Sequence, residues 1–287
     1  MASASAVLQE APANAKPTVR VQSLSKTYGT GETAVQAIAD ITFEVYPREF
    51  VCIVGPSGAG KTTFLKCMSG LLQRTSGTIE FEGKPISGTP EHLALVFQEY
   101  GRSLMPWLTV ERNVMLPLRG KGMEKSERLS RVRDSLEAVG LGHAAKRYPW
   151  QLSGGMQQRV AIARALAYRP HVLLMDEPFA SVDAQTRMDL EDLVLAIRKQ
   201  FGITIIFVTH DIEESIYLGD RVAVLTHSPT KVRRIVDIDL PDERNQVDTK
   251  GNPRFGEYRR ELMSLLDRQI HEAPAGSAPD RAATKAH

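Results

Sequence analysis

The segment Gly55-Pro56-Ser57-Gly58-Ala59-Gly60-Lys61-Thr62 constrains the fold of this chain more than any other stretch. In the pattern G-x-x-x-x-G-K-S/T, glycines let backbone N–H groups turn inward around a phosphate. The helix that such a loop opens adds the positive end of its dipole. Lys61 then reaches the β- and γ-phosphates and the Thr62 hydroxyl takes a magnesium ion, so the run from Gly55 through Thr63 is assigned to the nucleotide. From average composition, a chain of this length matches by chance about once in 100 cases. The context also fits. Phe50-Val51-Cys52-Ile53-Val54 is the continuous apolar run of a strand buried on both faces, and Lys61 to Leu71 reads as a helix.

Phosphoryl transfer needs a second set of groups, a carboxylate for the metal and one to orient the attacking water. The stretch Val172-Leu173-Leu174-Met175-Asp176-Glu177 supplies both at one strand end. Asp176 is placed to hold magnesium through water, and Glu177 to polarise the nucleophilic water as general base. An acidic pair after an apolar run is ordinarily a strand end meeting solvent. Together with the glycine loop it predicts ATP hydrolysis.

Other apolar runs at 94–97, 203–208 and 221–225 alternate with helical patterns at 184–201 and 211–218, which predicts an α/β domain with a mostly parallel sheet. Residues 18–45 alternate apolar and polar side chains, an antiparallel pattern. Between Gln98 and Tyr168 there is no strand pattern, only amphipathic helical segments around 125–139 and 155–168, so this stretch is expected to be a helical insertion. The ends, 1–17 and 273–287, are too poor in apolar residues to offset the entropy of ordering and are expected to be flexible tails. The formal net charge of +2 comes without a concentrated basic face, which argues against nucleic acid as a partner. Cys52 and Cys67 lack metal-ligand spacing and read as reduced core residues. No secretory signal is visible, and no apolar run approaches the roughly 20 residues of a spanning helix. Any membrane role is therefore expected to run through a partner.

Leu152-Ser153-Gly154-Gly155-Met156-Gln157-Gln158-Arg159 resembles the signature of ABC-type ATPases. Ser153, Gly154 and Gly155 would open a helix, a second anion-binding end. In that family the second end grips the same phosphate from the other side, across a head-to-tail dimer. The resemblance spans roughly Val19 to Leu225 and implies further roles. Tyr28 matches the aromatic that stacks on adenine, and Gln98 the glutamine that touches the metal and senses a membrane partner. Asp183 matches the aspartate of the loop after the catalytic strand, and His210 the switch histidine on the γ-phosphate. One departure is Ala180-Ser181-Val182-Asp183 in place of the commoner Ser-Ala-Leu-Asp. The implied fold is α/β, a P-loop (RecA-like) core with an N-terminal antiparallel β subdomain and an inserted helical subdomain. The ATPase domain is expected at 18–228, with its helical part at about 99–168 and a C-terminal extension at 229–272.

A narrower resemblance lies in the run from Glu99 to Val110, with Pro106-Trp107 at its centre, and in Asn252-Pro253-Arg254-Phe255-Gly256-Glu257-Tyr258. Both are similar to the importer subfamily for nitrate, sulfonates, taurine and bicarbonate. This implies a peripheral subunit on the cytoplasmic face of the membrane, working as a pair with separate permease subunits and indirectly with a solute-binding protein. Trp107 is either an anchor for the permease or a packing residue of the helical insertion. The competing readings are a soluble ABC ATPase acting on nucleic acid or ribosomes, the ATPase of an exporter, and a module that binds ATP without hydrolysing it. A single cassette with no long coiled-coil insertion disfavours the first. The intact Glu177 and His210 disfavour the last.

Overall fold

Alternating apolar residues near the start of the chain make an antiparallel pair, β1 (Val19–Tyr28) and β2 (Val35–Val45), in a computed structural model that describes residues 16–272. Val19, Val21 and Leu24 of one strand and Ile38, Ile41, Phe43 and Val45 of the other are buried on a shared face. The tails expected at 1–17 and 273–287 lie outside the described residues, apart from positions 16 and 17.

The next strand, β3 (Phe50–Val54), is fully buried. Phe50, Cys52 and Val54 belong to one hydrophobic cluster, and Val51 and Ile53 to another, so alternate side chains feed cores on opposite faces of the sheet. Helix α1 (Lys61–Met68) follows the glycine loop. It stops short of the expected Leu71 because Ser69 caps it and Gly70 takes φ 71°, a left-handed conformation that ends the helix. Two strands without a clear sequence signal come next, β4 (Ser76–Phe81) and β5 (Lys84–Pro85), at the sheet edge beside β1.

β6 (Leu93–Val96) leads into the helical insertion. The insertion contains α2 (Tyr100–Ser103), α3 (Val110–Met115), α4 (Lys125–Ala138) and α5 (Gly154–Ala167), with no strand among its residues. After it come β7 (Val172–Asp176), α6 (Ala184–Phe201), β8 (Thr204–Thr209), α7 (Ile212–Leu218) and β9 (Arg221–Leu225). The five apolar strands run parallel in the order β9-β3-β8-β7-β6.

The segment 229–272 begins inside this sheet. β10 (Thr230–Asp237) lies between β2 and β9, parallel to the first and antiparallel to the second, and so joins the antiparallel and parallel halves. Then α8 (Asp248–Gly251) and α9 (Pro253–Glu272) pack back, with Phe255 and Leu262 buried in the main core and Tyr258 against it. Cys52 and Cys67 are both buried free thiols, and burial pushes both above the usual thiol range.

Candidate active site

Parallel strands end on one side of their sheet, and that side collects the candidate residues. The loop from Gly55 to Gly60 leaves β3, and Gly60 takes φ 71° as the residue before α1. A side chain there would be strained by that φ and would meet Thr230 Oγ1 at 3.3 Å and the Ala37 carbonyl at 3.4 Å. Thr230 donates to the Ala59 carbonyl, so β10 clamps the loop from behind. Lys61 is 7% exposed and donates to the Gly55 carbonyl at 2.9 Å and the Pro56 carbonyl at 3.1 Å. Ser57, Gly58 and Thr62 face solvent, and Thr63 lies beside Tyr28, whose hydroxyl is 3.1 Å from Thr63 Oγ1. Lys26 lies over the Tyr28 ring, 5.0 Å from its centroid, and the ring is 41% exposed.

β7 brings Asp176 and Glu177 to the same rim. Asp176 is 5% exposed; burial raises its carboxyl above the usual range, and a hydrogen bond from Thr62 partly counters this. Its Oδ1 is buried without a hydrogen-bond partner. A buried anionic oxygen left open beside a loop hydroxyl is a donor set for a hard divalent cation, so Thr62 and Asp176 fit magnesium. Glu177 follows at φ 43°, a conformation rare outside glycine that costs about 1–3 kcal/mol and turns its side chain off the line of the strand. Its N–H donates to the Val208 carbonyl at 2.9 Å, which anchors the turn to β8.

Two donors hold the Glu177 carboxylate. His210 Nδ1 is 3.1 Å from Oε2 and Lys61 Nζ is 3.6 Å from Oε1. A carboxylate only accepts, so Nδ1 carries the proton in this pair. The turn that carries His210 is itself fixed: Asp211 caps α7 by accepting from the N–H groups of Glu213 and Glu214, and its own N–H donates to Thr209 Oγ1 at 3.0 Å. Gln98 lies just past β6, whose Val96 pairs with Met175 of β7, and is exposed on the same side.

Ser153, Gly154, Gly155 and Asp183 stand apart from the loop. Ser153 caps α5 by accepting from the Met156 N–H, and Asp183 caps α6 by accepting from Thr186 N–H and Oγ1 at 3.0 and 2.7 Å. Those bonds draw the Asp183 carboxyl below its usual range. Trp107 is 70% exposed. The buried Asn113 explains its placement, since its amide donates to the carbonyls of Met105, Leu108 and Thr109 and its oxygen accepts from Met105 N–H. The loop is thus folded around Asn113, and Pro106-Trp107 is turned outward.

Residues that no local motif announced complete the site. Thr230 holds the loop, and Arg187 joins Asp211 from α6 at 3.2 Å. Glu214, 5% exposed, lies among Thr209, Glu191, Asp211 and Arg187; burial pushes its carboxyl up to about 8. Such a group keeps its proton when folded and loses it when unfolded between its ordinary value and about 8, so its contribution to stability falls as pH rises through that window. Glu214→Gln is therefore expected to unfold at a higher temperature than the parent chain at pH 8.5, and the gap should close by pH 4.5. A gap of the same size at both pH values would show that Glu214 does not titrate this way.

The profile of the ABC transporter family matches residues 38–180. The nitrate transport protein NasD of Klebsiella oxytoca is 38% identical over 255 residues, which cover 88% of this chain and 97% of that protein. The aliphatic sulfonates import ATP-binding protein SsuB of Bacillus licheniformis is 40% identical over 242 residues, 84% of this chain and 91% of that one. Among solved structures, a dimeric ATP-binding cassette in a post-hydrolysis state, bound to ADP and Pi, superposes with a TM-score of 0.66 at 33% identity, covering 78% of this chain and all of that one.

Proposed function

Because the chain belongs to the ABC transporter family of ATP-binding, ATP-hydrolysing proteins, we propose that it is the ATPase subunit of an importer for a small anion of the nitrate or sulfonate kind. The observation that carries the hydrolytic part is the Glu177 carboxylate, held between Lys61 and His210 at the mouth of the loop. Both groups are donors suited to a γ-phosphate. Bound ATP competes for them, and their transfer to phosphate oxygens frees Glu177 to accept a proton from water. Thr62 and Asp176, with Gln98 on the same rim, would hold a magnesium ion that neutralises charge on the β- and γ-phosphates. Tyr28 offers its exposed ring to adenine. This site is half of the working unit: Ser153 to Gly155 of a second copy would close on the phosphate from the other side, an arrangement supported by the dimeric cassette that superposes on this chain.

Features of the surface support a place at the membrane. Among the described residues no helix is long and apolar enough to cross a membrane, and separate permease partners belong to the importer reading. Pro106-Trp107 offers an aromatic anchor for them. Arg164 ties the same segment to α5 by donating to the Ser103 carbonyl at 2.6 Å, next to an open groove of about 520 Å³ between α5 and the sheet edge at 93–95. The Trp107→Ala chain is expected to keep its phosphate-release rate in isolation and to bind host membrane vesicles about tenfold more weakly, within the range of a hot-spot residue. Equal binding by the two chains would remove Trp107 from the docking surface.

The import reading is tested in the host cell. Replacing the chain by its Glu177→Gln form should abolish uptake of labelled nitrate or of an alkanesulfonate. Undiminished uptake of both would refute the assignment to this transport class.

A further inference from the structure

The first turn of α6 touches two functional segments at once. On one side it meets the signature: a Cβ placed on Gly155 would stand 2.4 Å from Thr186 Cγ2, so the start of α5 and the start of α6 are in direct contact with no room for a side chain. On the other side it meets the switch segment, where Arg187 Nη1 donates to Asp211 Oδ2 at 3.2 Å. Asp211 follows His210 directly, and its other oxygen is committed to capping α7. His210 in turn holds Glu177. A continuous path of contacts therefore runs Gly155–Thr186–Arg187–Asp211–His210–Glu177.

In a head-to-tail dimer the ends of this path serve different nucleotides. Gly155 faces the ATP bound by the partner, and His210 and Glu177 face the ATP bound by their own chain. We propose that Arg187 is a positioning residue that couples the two ATP sites, by passing the seating of the signature on one nucleotide to the histidine and glutamate at the other. The inference rests on the dimer reading given above.

Two observations give the coupling a place to move. Arg187 Nε is buried with no hydrogen-bond partner, so the guanidinium has a donor in reserve. The residue also lines a void of about 10 Å³, shared with Glu177, Thr209, His210, Asp211 and Glu214, which has room for about one water. A shift of α6 can thus turn the guanidinium to a second arrangement, with Nε satisfied, without tearing packed apolar groups apart. Two discrete arrangements of this partly exposed ion pair are what a coupling element needs.

The test compares the ATP dependence of phosphate release in the parent chain, Arg187→Ala, Arg187→Lys and Asp211→Asn, with ATP-driven dimerisation measured by light scattering in a Glu177→Gln background. Asparagine also caps helices, so Asp211→Asn removes the ion pair and leaves α7 capped. It keeps the test open if Arg187→Ala folds poorly. The parent is expected to show a Hill coefficient approaching about 2, the number of sites. In Arg187→Ala and Asp211→Asn it should fall to about 1, with kcat down about tenfold and KM changed less than about threefold, a coupling loss of ordinary allosteric size. Arg187→Lys should recover part of both, and Glu177→Gln/Arg187→Ala should still dimerise in ATP. A parent-like Hill coefficient in the folded Arg187→Ala or Asp211→Asn chain would overturn the coupling role. If Glu177→Gln stays monomeric in ATP, the dimer reading itself fails, and this inference fails with it.

Discussion

Glu177→Gln should leave ATP binding intact and lower phosphate release by about 10²- to 10⁴-fold, the range a general base supplies. The amide is nearly isosteric with the carboxylate and accepts at its oxygen, so the turn at φ 43° and the contact to His210 can both persist. What disappears is the group proposed to take the proton from the attacking water. The negative charge facing Lys61 at 3.6 Å disappears too, which removes a competitor for the lysine and should favour the nucleotide-bound form. The mutant should therefore collect in an ATP-bound state and, given the dimeric cassette it resembles, as a closed pair. Stopped-flow phosphate release and size-exclusion chromatography in ATP measure the two effects separately. Normal turnover would transfer the base role to another group. Lost turnover without a dimer would keep the base role and remove the pairing.

The motifs that announced this site are those in which chemistry and sequence position coincide. Residues 55–62 are contiguous because one turn must surround one phosphate, and the pair at 176–177 is contiguous because it terminates one strand. The five parallel strands were equally legible, since each run is predominantly apolar, and β3, β7 and β8 are buried along their whole length. β10 was hidden by the opposite condition. Its sequence, TKVRRIVD, is charged because one face stays wet, although Thr230 and Val236 are buried and the strand joins both halves of the sheet. Partnerships across long separations were hidden as well. Arg187 and Asp211 meet only because α6 and α7 pack side by side, and Thr230 meets Ala59 only because β10 inserts next to β9. Nothing in either local sequence marks the partner. Trp107 was ambiguous for a related reason: the residue that turns it outward is Asn113, buried one helix later.

Lys61→Ala is expected to weaken ATP binding by about ten- to a hundredfold and to abolish measurable turnover. A hydrogen bond to a charged group contributes about 1.5–3 kcal/mol, and each 1.4 kcal/mol is about tenfold in affinity. Turnover falls further than affinity because the lysine's charge matters most where the phosphoryl oxygens gain charge in the transition state. The contacts of Lys61 within the loop add a second consequence. Lys61 now donates to the carbonyls of Gly55 and Pro56 and approaches Glu177, so it holds the loop closed over its own backbone. Its removal leaves the two carbonyls and a half-buried carboxylate with one donor fewer. The apo chain should therefore lose a few degrees of thermal stability as well, and saturating ATP should restore less of that loss than in the parent. Lys61→Arg separates the two roles. Its guanidinium keeps the charge but is too broad for the 2.9 Å and 3.1 Å positions on the loop, so affinity should recover in part while turnover stays low. Isothermal titration with ATP, alongside thermal melts with and without nucleotide, reads both. Parent-like affinity in Lys61→Ala would mean that the backbone amides of the loop alone carry the phosphate, and that the lysine serves the apo fold only.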